Sequence, residues 1–98
     1  MKIPEKIKIG GKIYAVKETN DLRLGSLNCS AECDYENLEI RLVPTTCENK
    51  KQADFMHEVV HAIADNLGYK SQNEQDVEAF AQALYAVIQD NPKMFEND

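Results

Sequence analysis

The chain has 98 residues, of which 43% are hydrophobic and 29% charged, an ordinary composition for one folded domain. Its 17 acidic and 11 basic residues give a net charge of −6, which argues against a nucleic-acid-binding protein. The N-terminal stretch is alternating rather than continuously apolar, so we expect neither a signal peptide nor a membrane span. Three cysteines, an odd number, fit reduced thiols rather than a disulfide framework. These features predict a single domain, residues 1–98, located in the cytoplasm.

The first half of the chain has the alternation of apolar and polar residues that is typical of β-strands. Gly10-Gly11 tolerates the positive φ angles of a tight turn, and the alternation on both sides of it predicts an N-terminal hairpin. Two further strands are predicted at 27–33 and 38–43, separated by the turn-prone residues 34–37. In 38–43 the apolar residues alternate with Glu39 and Arg41, which predicts a strand buried on one face only.

The second half has two helical patterns. Thr45-x-x-Glu48 has the form of a capping box and predicts a helix that runs to about Gly68. Ser71-x-x-Glu74 is a second match, followed by a helical pattern as far as about residue 90. The predicted core stripe of the first helix is Met56, Val60, Ile63 and Leu67, and that of the second is Val77, Phe80, Ala81, Leu84 and Ile88. We therefore predict an α+β fold in which a small antiparallel or mixed sheet precedes two packed helices.

His57-Glu58-Val59-Val60-His61 is the motif that carries chemistry. Two histidines four residues apart on a helix lie one above the other, so both imidazoles can reach one zinc ion. Glu58 is rotated off the histidine line and is better placed to face a water on the metal than to bind the metal, so its predicted role is general base. The competing interpretation is two surface histidines on an ordinary amphipathic helix. These are the only two histidines in the chain, and both lie within the motif.

A catalytic zinc site usually has three protein ligands and one open position, so a third ligand is required. The candidates are Glu74 and Glu78, because a neighbouring helix is the element best placed to meet the two histidines. Glu74 is the expected capping partner of Ser71, whereas Glu78 has no such structural explanation. We therefore predict His57, His61 and Glu78 as ligands, and Glu74 remains the alternative.

The histidine motif, followed at short range by Glu78-Ala79-Phe80-Ala81, resembles the gluzincin pattern and is similar to ImmA/IrrE-type bacterial and phage metallopeptidases. The resemblance covers roughly residues 38–92. It implies a minimal zincin fold and a zinc-dependent peptidase acting on peptide or protein substrates, with the strand before the motif helix pairing with an extended substrate. That pairing requires 38–43 to be the sheet edge, and a strand covered by its neighbours is the alternative.

The chain departs from the family at one position. In larger gluzincins an aspartate one turn after the ligand glutamate orients a zinc-binding histidine, and counting from Glu78 this position is Gln82. Either Gln82 or Asp65 is expected to take that role. The family also uses a second donor to stabilise the transition state, for which the candidates here are the tyrosines at positions 35, 69 and 85.

A different class of function fits the same motif. The domain could be a zinc-stabilised protein-interaction module of phage or mobile-element origin that cleaves nothing. Structural zinc sites usually have four protein ligands, often cysteines, and no cysteine is adjacent to this motif, which favours catalysis. The C-terminal residues 92–98 could also lie in the cleft as an inhibitory segment, although packing on the core is the simpler expectation. The oligomeric state cannot be inferred from these patterns.

Overall fold

The computed structural model describes residues 1–24, 30–45 and 47–96. It has a four-stranded mixed sheet followed by two helices, which confirms the predicted α+β fold. The elements are β1 (Lys6–Ile9), β2 (Lys12–Glu18), β3 (Ala31–Asp34), β4 (Glu39–Leu42), α1 (Glu48–Asn66), α2 (Glu74–Asp90) and a final 3₁₀ turn (Pro92–Phe95). Part of the strand predicted at 27–33 lies outside the described residues.

The N-terminal hairpin is confirmed. β1 pairs with β2 in antiparallel register, and the turn residues Gly10 and Gly11 have φ angles of 57° and 86°. Both angles lie in the left-handed region, which a glycine adopts without a Cβ clash. The turn also packs against the end of α1, because a Cβ atom at Gly10 would overlap the side chain of Asn66.

The sheet has the strand order β1-β2-β4-β3, with β2 and β4 parallel and the other pairs antiparallel. β4 is therefore an internal strand, and the expectation that it offers an edge to an extended substrate is wrong. In the part of the chain that the structure describes, β3 forms the sheet edge next to the motif helix.

The prediction that β4 is buried on one face only is also wrong. Ile40 and Leu42 pack into the core against α1, as expected, but the Arg41 side chain on the other face is only 2% exposed. Its guanidinium is paired with the carboxylates of Glu32, Asp34 and Glu39. A buried guanidinium is stable only when carboxylates of this kind neutralise it, and these also hold β3 and β4 together on that face.

Helix α1 begins one residue after Cys47, whose side chain makes no capping hydrogen bond, so the capping box predicted there does not form. Thr45 Oγ1 instead accepts a hydrogen bond from the Cys47 N–H at 3.2 Å. At the other end Gly68 has a φ angle of 92°, and two hydrogen bonds, Gly68 N–H to Asp65 O and Tyr69 N–H to Ala64 O, close a Schellman motif.

The core stripe of α1 is rotated from the predicted one. The buried apolar residues are Phe55, Met56, Val59 and Ala62. Of the predicted stripe only Met56 is buried, whereas Leu67 is 68% exposed and Ile63 is also exposed. The sheet therefore packs on the Phe55 side of the helix, and the stripe through Ile63 and Leu67 lines an apolar groove between the helices.

Helix α2 begins two residues later than the capping box predicts. Its N-cap is Asn73, whose side-chain oxygen accepts hydrogen bonds from the N–H groups of Gln75 and Asp76. Glu74 is therefore the first residue of the helix, and the capping role predicted for it with Ser71 is wrong. Val77 and Ala81 are buried as predicted, but Phe80 is 70% exposed.

No helix in the described ranges is long and apolar enough to cross a membrane. The final 3₁₀ turn follows α2 and contacts that helix. Because α2 rises about 1.5 Å per residue, this turn lies more than about 20 Å from Glu74 at the other end of the helix. The described part of the tail, up to residue 96, therefore does not lie over the histidine motif.

Candidate metal centre

The two histidines of the motif direct the same ring atom toward one point. The Nε2 atoms of His57 and His61 lie 3.2 Å apart, and the two side chains are 16% and 12% exposed. The helix sets this arrangement, because residues four apart project from the same side of it. The same side of the helix faces the first turn of α2.

Glu74 provides a carboxylate at this point. One of its oxygens, Oε2, lies 3.1 Å from Nε2 of His57, and the other, Oε1, lies 2.7 Å from Nε2 of His61. Among the described residues, His57, His61 and Glu74 form the one group of three or more possible metal-binding side chains, with ligand atoms within 4.8 Å of one another. Glu74 itself stays exposed, which leaves the point open to solvent.

The spacing of the two histidine nitrogens fits a zinc ion, whereas the 2.7 Å between Oε1 of Glu74 and Nε2 of His61 is a hydrogen-bond distance. With Zn–N and Zn–O bonds of about 2.0–2.1 Å, the ligand atoms of a tetrahedral site are separated by about 3.3 Å. The observed separation of 3.2 Å between the two nitrogens is close to that value. Two imidazole nitrogens and one carboxylate oxygen are also the donor set that catalytic zinc sites use, with a fourth position left open.

The Nδ1 atoms on the far sides of both rings have acceptors of their own. Nδ1 of His57 lies 2.6 Å from Oε2 of Glu78, and Nδ1 of His61 lies 2.6 Å from Oε1 of Gln72. The Glu78 contact is close but poorly aligned, because Nδ1 of His57 has no partner with hydrogen-bond geometry among the described residues. The acceptor at Nδ1 of His61 favours the tautomer of that ring whose Nε2 lone pair is free for a metal.

The structure thus brings three of the four predicted site residues, His57, Glu58 and His61, together with Glu74. It places Glu78 beside the outer nitrogen of His57 rather than at the point where the two Nε2 atoms meet. Gln82 does not orient an imidazole as expected, since its amide donates to Glu78 at 2.8 Å. Asp65 makes no hydrogen bond to either ring among the described residues.

Glu58 lies in the wall of the same cleft and is only 7% exposed. Its burial raises the pKa of the carboxyl to about 7, although the neighbouring His57 acts in the opposite direction. A carboxyl with a pKa near neutrality exchanges protons readily in both directions, which suits a general base that later returns the proton.

The cleft around these residues has a volume of about 380 Å³. One wall comes from the motif helix, and the opposite wall comes from β3 and Tyr35. No protein-family model, curated protein or solved structure matches this chain. The function is therefore argued from the side chains of this cleft and their geometry.

The edge of β3 contributes main-chain groups to the cleft. Ser30 O accepts from Val43 N at 2.8 Å, which makes Ser30 and Val43 a hydrogen-bonded pair at the end of the β3–β4 ladder. Because such pairs alternate along an antiparallel ladder, the N–H and C=O groups of Ala31 and Cys33 point away from β4. In the described ranges these groups make no other backbone hydrogen bond, and both residues line the cleft.

The three tyrosines proposed as donors lie in different places. Tyr35 lines the cleft, whereas Tyr69 is 63% exposed in the groove between the helices. The Tyr85 hydroxyl donates a hydrogen bond to Oε1 of Gln52 at 2.7 Å, which links α2 to α1.

Sequence reasoning missed Gln72. No local pattern marks this glutamine, which becomes a neighbour of His61 only when the connection between the helices folds back over the motif. Cys33 is buried in the wall of the cleft, and burial raises the pKa of its thiol to about 12. This free thiol is consistent with the reduced cysteines predicted from their odd number.

Proposed function

We propose that the protein is a zinc-dependent peptidase in which His57, His61 and Glu74 bind the metal and Glu58 is the general base. The observation that carries this proposal is the convergence of both Nε2 atoms and the Glu74 carboxylate, with an acceptor behind His61 and the Glu78 carboxylate close to Nδ1 of His57. Two solvated surface histidines would share no carboxylate. We also propose a cytoplasmic location, as expected from the composition.

Zinc bound at this point supplies Lewis-acid activation of water and of the substrate carbonyl. Glu58 accepts a proton from the attacking water and then delivers it to the leaving amine. Its burial in the wall of the cleft keeps bulk water away from the carboxyl. The acceptor Gln72 orients the imidazole of His61 during these steps, and the Glu78 carboxylate lies next to Nδ1 of His57.

The edge of β3, which pairs with no further strand in the described ranges, supplies the means to bind a peptide. An extended substrate can pair with the outward N–H and C=O groups of Ala31 and Cys33, which would place it between β3 and the motif helix. Main-chain pairing of this kind depends little on side-chain sequence. We therefore propose extended peptide segments as the substrate class, held by β3 rather than by β4.

Taking Glu74 as the third ligand also removes the departure from the gluzincin pattern. The family places a carboxylate one turn after the ligand glutamate, and one turn after Glu74 is Glu78, which lies 2.6 Å from Nδ1 of His57. The expected orienting carboxylate is thus present when the pattern is counted from Glu74. This assignment makes Glu78 a positioning residue for His57, and it moves the ligand off the segment Glu78-Ala79-Phe80-Ala81 on which the resemblance was drawn.

The test uses a library of peptides digested from a whole proteome, incubated with zinc-loaded protein and read by mass spectrometry for new termini. We expect wild-type protein to generate new termini and Glu58→Gln to generate at least about 100-fold fewer, with the same zinc content. Glu36→Gln, which alters an exposed glutamate of the β3–β4 turn, is the matched control and should cleave like wild type. Equal cleavage by wild type and Glu58→Gln would contradict the proposal.

A second candidate function is the zinc-stabilised interaction module. The observation that favours it is the apolar groove between α1 and α2, where Leu67, Tyr69 and Phe80 are all more than half exposed. Apolar surface of this kind marks interaction sites in many proteins. The Glu58→Gln variant distinguishes the two candidate functions. It should abolish hydrolysis, but it would leave binding of a partner in the groove unchanged.

A further inference from the structure

We infer that Gln72 is a positioning residue that connects the imidazole of His61 to the phenol of Tyr35 by hydrogen bonds, and that the Tyr35 hydroxyl donates a hydrogen bond to the substrate carbonyl oxygen. The inference rests on the proposed peptidase function and adds to it a donor and the side chain that orients that donor. It is argued from the hydrogen bonds that surround these three residues.

The direction of the Gln72 amide follows from the metal site. If Nε2 of His61 keeps its lone pair for zinc, Nδ1 carries the hydrogen and must donate it, and its neighbour at 2.6 Å is Oε1 of Gln72. The amide NH₂ group then points the other way. There Nε2 of Gln72 donates to the Tyr35 hydroxyl oxygen at 3.3 Å, with the backbone oxygen of His61 at 3.4 Å.

The consequence for Tyr35 is that its oxygen accepts a hydrogen bond while its own proton stays available. Accepting a bond in such a chain strengthens the donor capacity of the same hydroxyl. Tyr35 lines the cleft together with Glu58 and the two histidines, so the proton is available where a substrate carbonyl would lie. Burial also raises the pKa of Tyr35 to about 12, so the hydroxyl stays protonated at any working pH.

Hydrogen bonds to the Asp34 side chain close the turn that contains Tyr35. Oδ1 of Asp34 accepts from the backbone N–H groups of Glu36 and Asn37 at 3.1 and 3.0 Å, and Oδ2 accepts from the Asn37 side chain at 2.9 Å. Arg41 fixes Asp34 in turn, with Nη2 at 2.8 Å from Oδ2. The backbone of Tyr35 is therefore held by the turn that the buried Asp34–Arg41 ion pair stabilises. Its hydroxyl is oriented by the hydrogen bond from Gln72.

Two substitutions at Gln72 separate its two contacts. Gln72→Glu keeps an acceptor for the N–H of His61 but removes the donor to Tyr35, and its carboxylate would draw the Tyr35 proton away from the substrate. Gln72→Leu has nearly the same size and removes both contacts. Tyr35→Phe removes the hydroxyl alone, and Tyr69→Phe is the matched control because Tyr69 lies outside the cleft.

The measurements are zinc affinity, by competition with a chelator, and kcat and KM on a peptide that the wild-type protein cleaves. We expect Tyr35→Phe to lower kcat about 100-fold or more, with KM and zinc affinity unchanged. Gln72→Glu should lower kcat comparably and keep zinc affinity at least at the wild-type level. Gln72→Leu should lower kcat and also weaken zinc binding about 10-fold or more. Tyr69→Phe should match wild type throughout.

In the double variant Tyr35→Phe with Gln72→Glu, kcat should fall no further than in the lower single variant, because both substitutions remove the same donor. Full activity of Tyr35→Phe, or multiplied losses in the double variant, would overturn the inference while leaving the peptidase proposal intact. Zinc affinity in Gln72→Leu equal to wild type would overturn the link to His61. A wild-type protein that binds zinc and cleaves nothing would overturn both the peptidase proposal and the donor role.

Discussion

Oδ2 of Asp34 lies 2.8 Å from Nη2 of Arg41, and both side chains are buried on the face of the sheet opposite the helices. The same carboxylate closes the turn that carries Tyr35. Hydrogen bonds from Asn37 and Arg41 hold the pKa of Asp34 well below its usual range, so the ionised form is strongly favoured in the folded state. This pair therefore connects the stability of the sheet to the geometry of the cleft.

Asp34→Asn should lower the free energy of unfolding by about 3 kcal/mol at pH 7, because it removes one partner of a buried guanidinium. The stabilisation from ionised Asp34 is complete above the pKa of the unfolded chain, about 3.9, and is lost as the pH falls toward the lower folded pKa. The difference between wild type and variant should therefore shrink below about pH 4.

Urea unfolding at a series of pH values measures this. Asp21→Asn is the control, since Asp21 forms an exposed pair with Arg23. The structural role assigned to the buried pair would be contradicted if Asp34→Asn lowered the free energy of unfolding no more than the control does. A loss that does not change with pH would contradict it as well.

Glu58→Gln should stabilise the metal-free protein at alkaline pH. Between about pH 4.5 and 7 the unfolded chain ionises Glu58 while the buried carboxyl, with its pKa raised to about 7, stays protonated, so wild-type stability falls as the pH rises. Above pH 7 this loss is complete and amounts to about 3 kcal/mol. Glutamine has no such loss.

Thermal or urea unfolding of chelator-treated protein at pH 4 and pH 8 measures the effect. The two proteins should be nearly equal at pH 4, and Glu58→Gln should be the more stable at pH 8. Glu36→Gln serves as the exposed control. An advantage for wild type at pH 8 would mean that Glu58 is not buried in the way described.

Gly10→Ala should destabilise the protein more than Gly11→Ala does. Both glycines have positive φ angles, which cost an alanine about 1 kcal/mol. At Gly10 the new Cβ would also overlap the Asn66 side chain, whereas at Gly11 it would meet open space. The overlapped atoms are the end of an exposed side chain that can rotate away, so we expect only about 0.5 kcal/mol of additional loss at Gly10. Denaturant unfolding measures both losses, and a smaller loss at Gly10 than at Gly11 would argue against the packing of the hairpin on α1.

Local patterns predicted the elements of this fold well, because each depends on residues close in sequence. The Gly10-Gly11 turn, the strand at 38–43 and both helices follow from alternation, helical spacing and stop signals. The burial of Arg41 could not be predicted in this way. It depends on Glu32 and Asp34, which are carried by the neighbouring strand and meet the guanidinium only when the register is set.

Local patterns also could not predict which face of α1 packs against the sheet. α1 carries two adjacent apolar stripes, one through Phe55 and Val59 and one through Ile63 and Leu67. Helical spacing alone does not determine which stripe the sheet covers, since both satisfy it equally. The sheet covers the first, and the second lines the groove beside α2.

The candidate site was predictable only in part. His57, Glu58 and His61 came from one motif, but the glutamate that joins them depended on where α2 begins. Placing the cap at Ser71 rather than Asn73 moves Glu74 from the first to the third helical position and makes it look like a capping residue. A displacement of two residues in a predicted helix start is ordinary, and here it changes which glutamate is expected beside the two Nε2 atoms.

Native mass spectrometry with elemental analysis on wild type, Glu74→Ala and Glu78→Ala tests the central claim most directly. We predict one zinc ion in the wild type and none retained by Glu74→Ala. Glu78→Ala should keep one zinc ion with about 10–100-fold weaker affinity, because it loses only the acceptor behind His57. A metal-free wild type would contradict the account, as would Glu74→Ala retaining zinc at wild-type affinity while Glu78→Ala loses it.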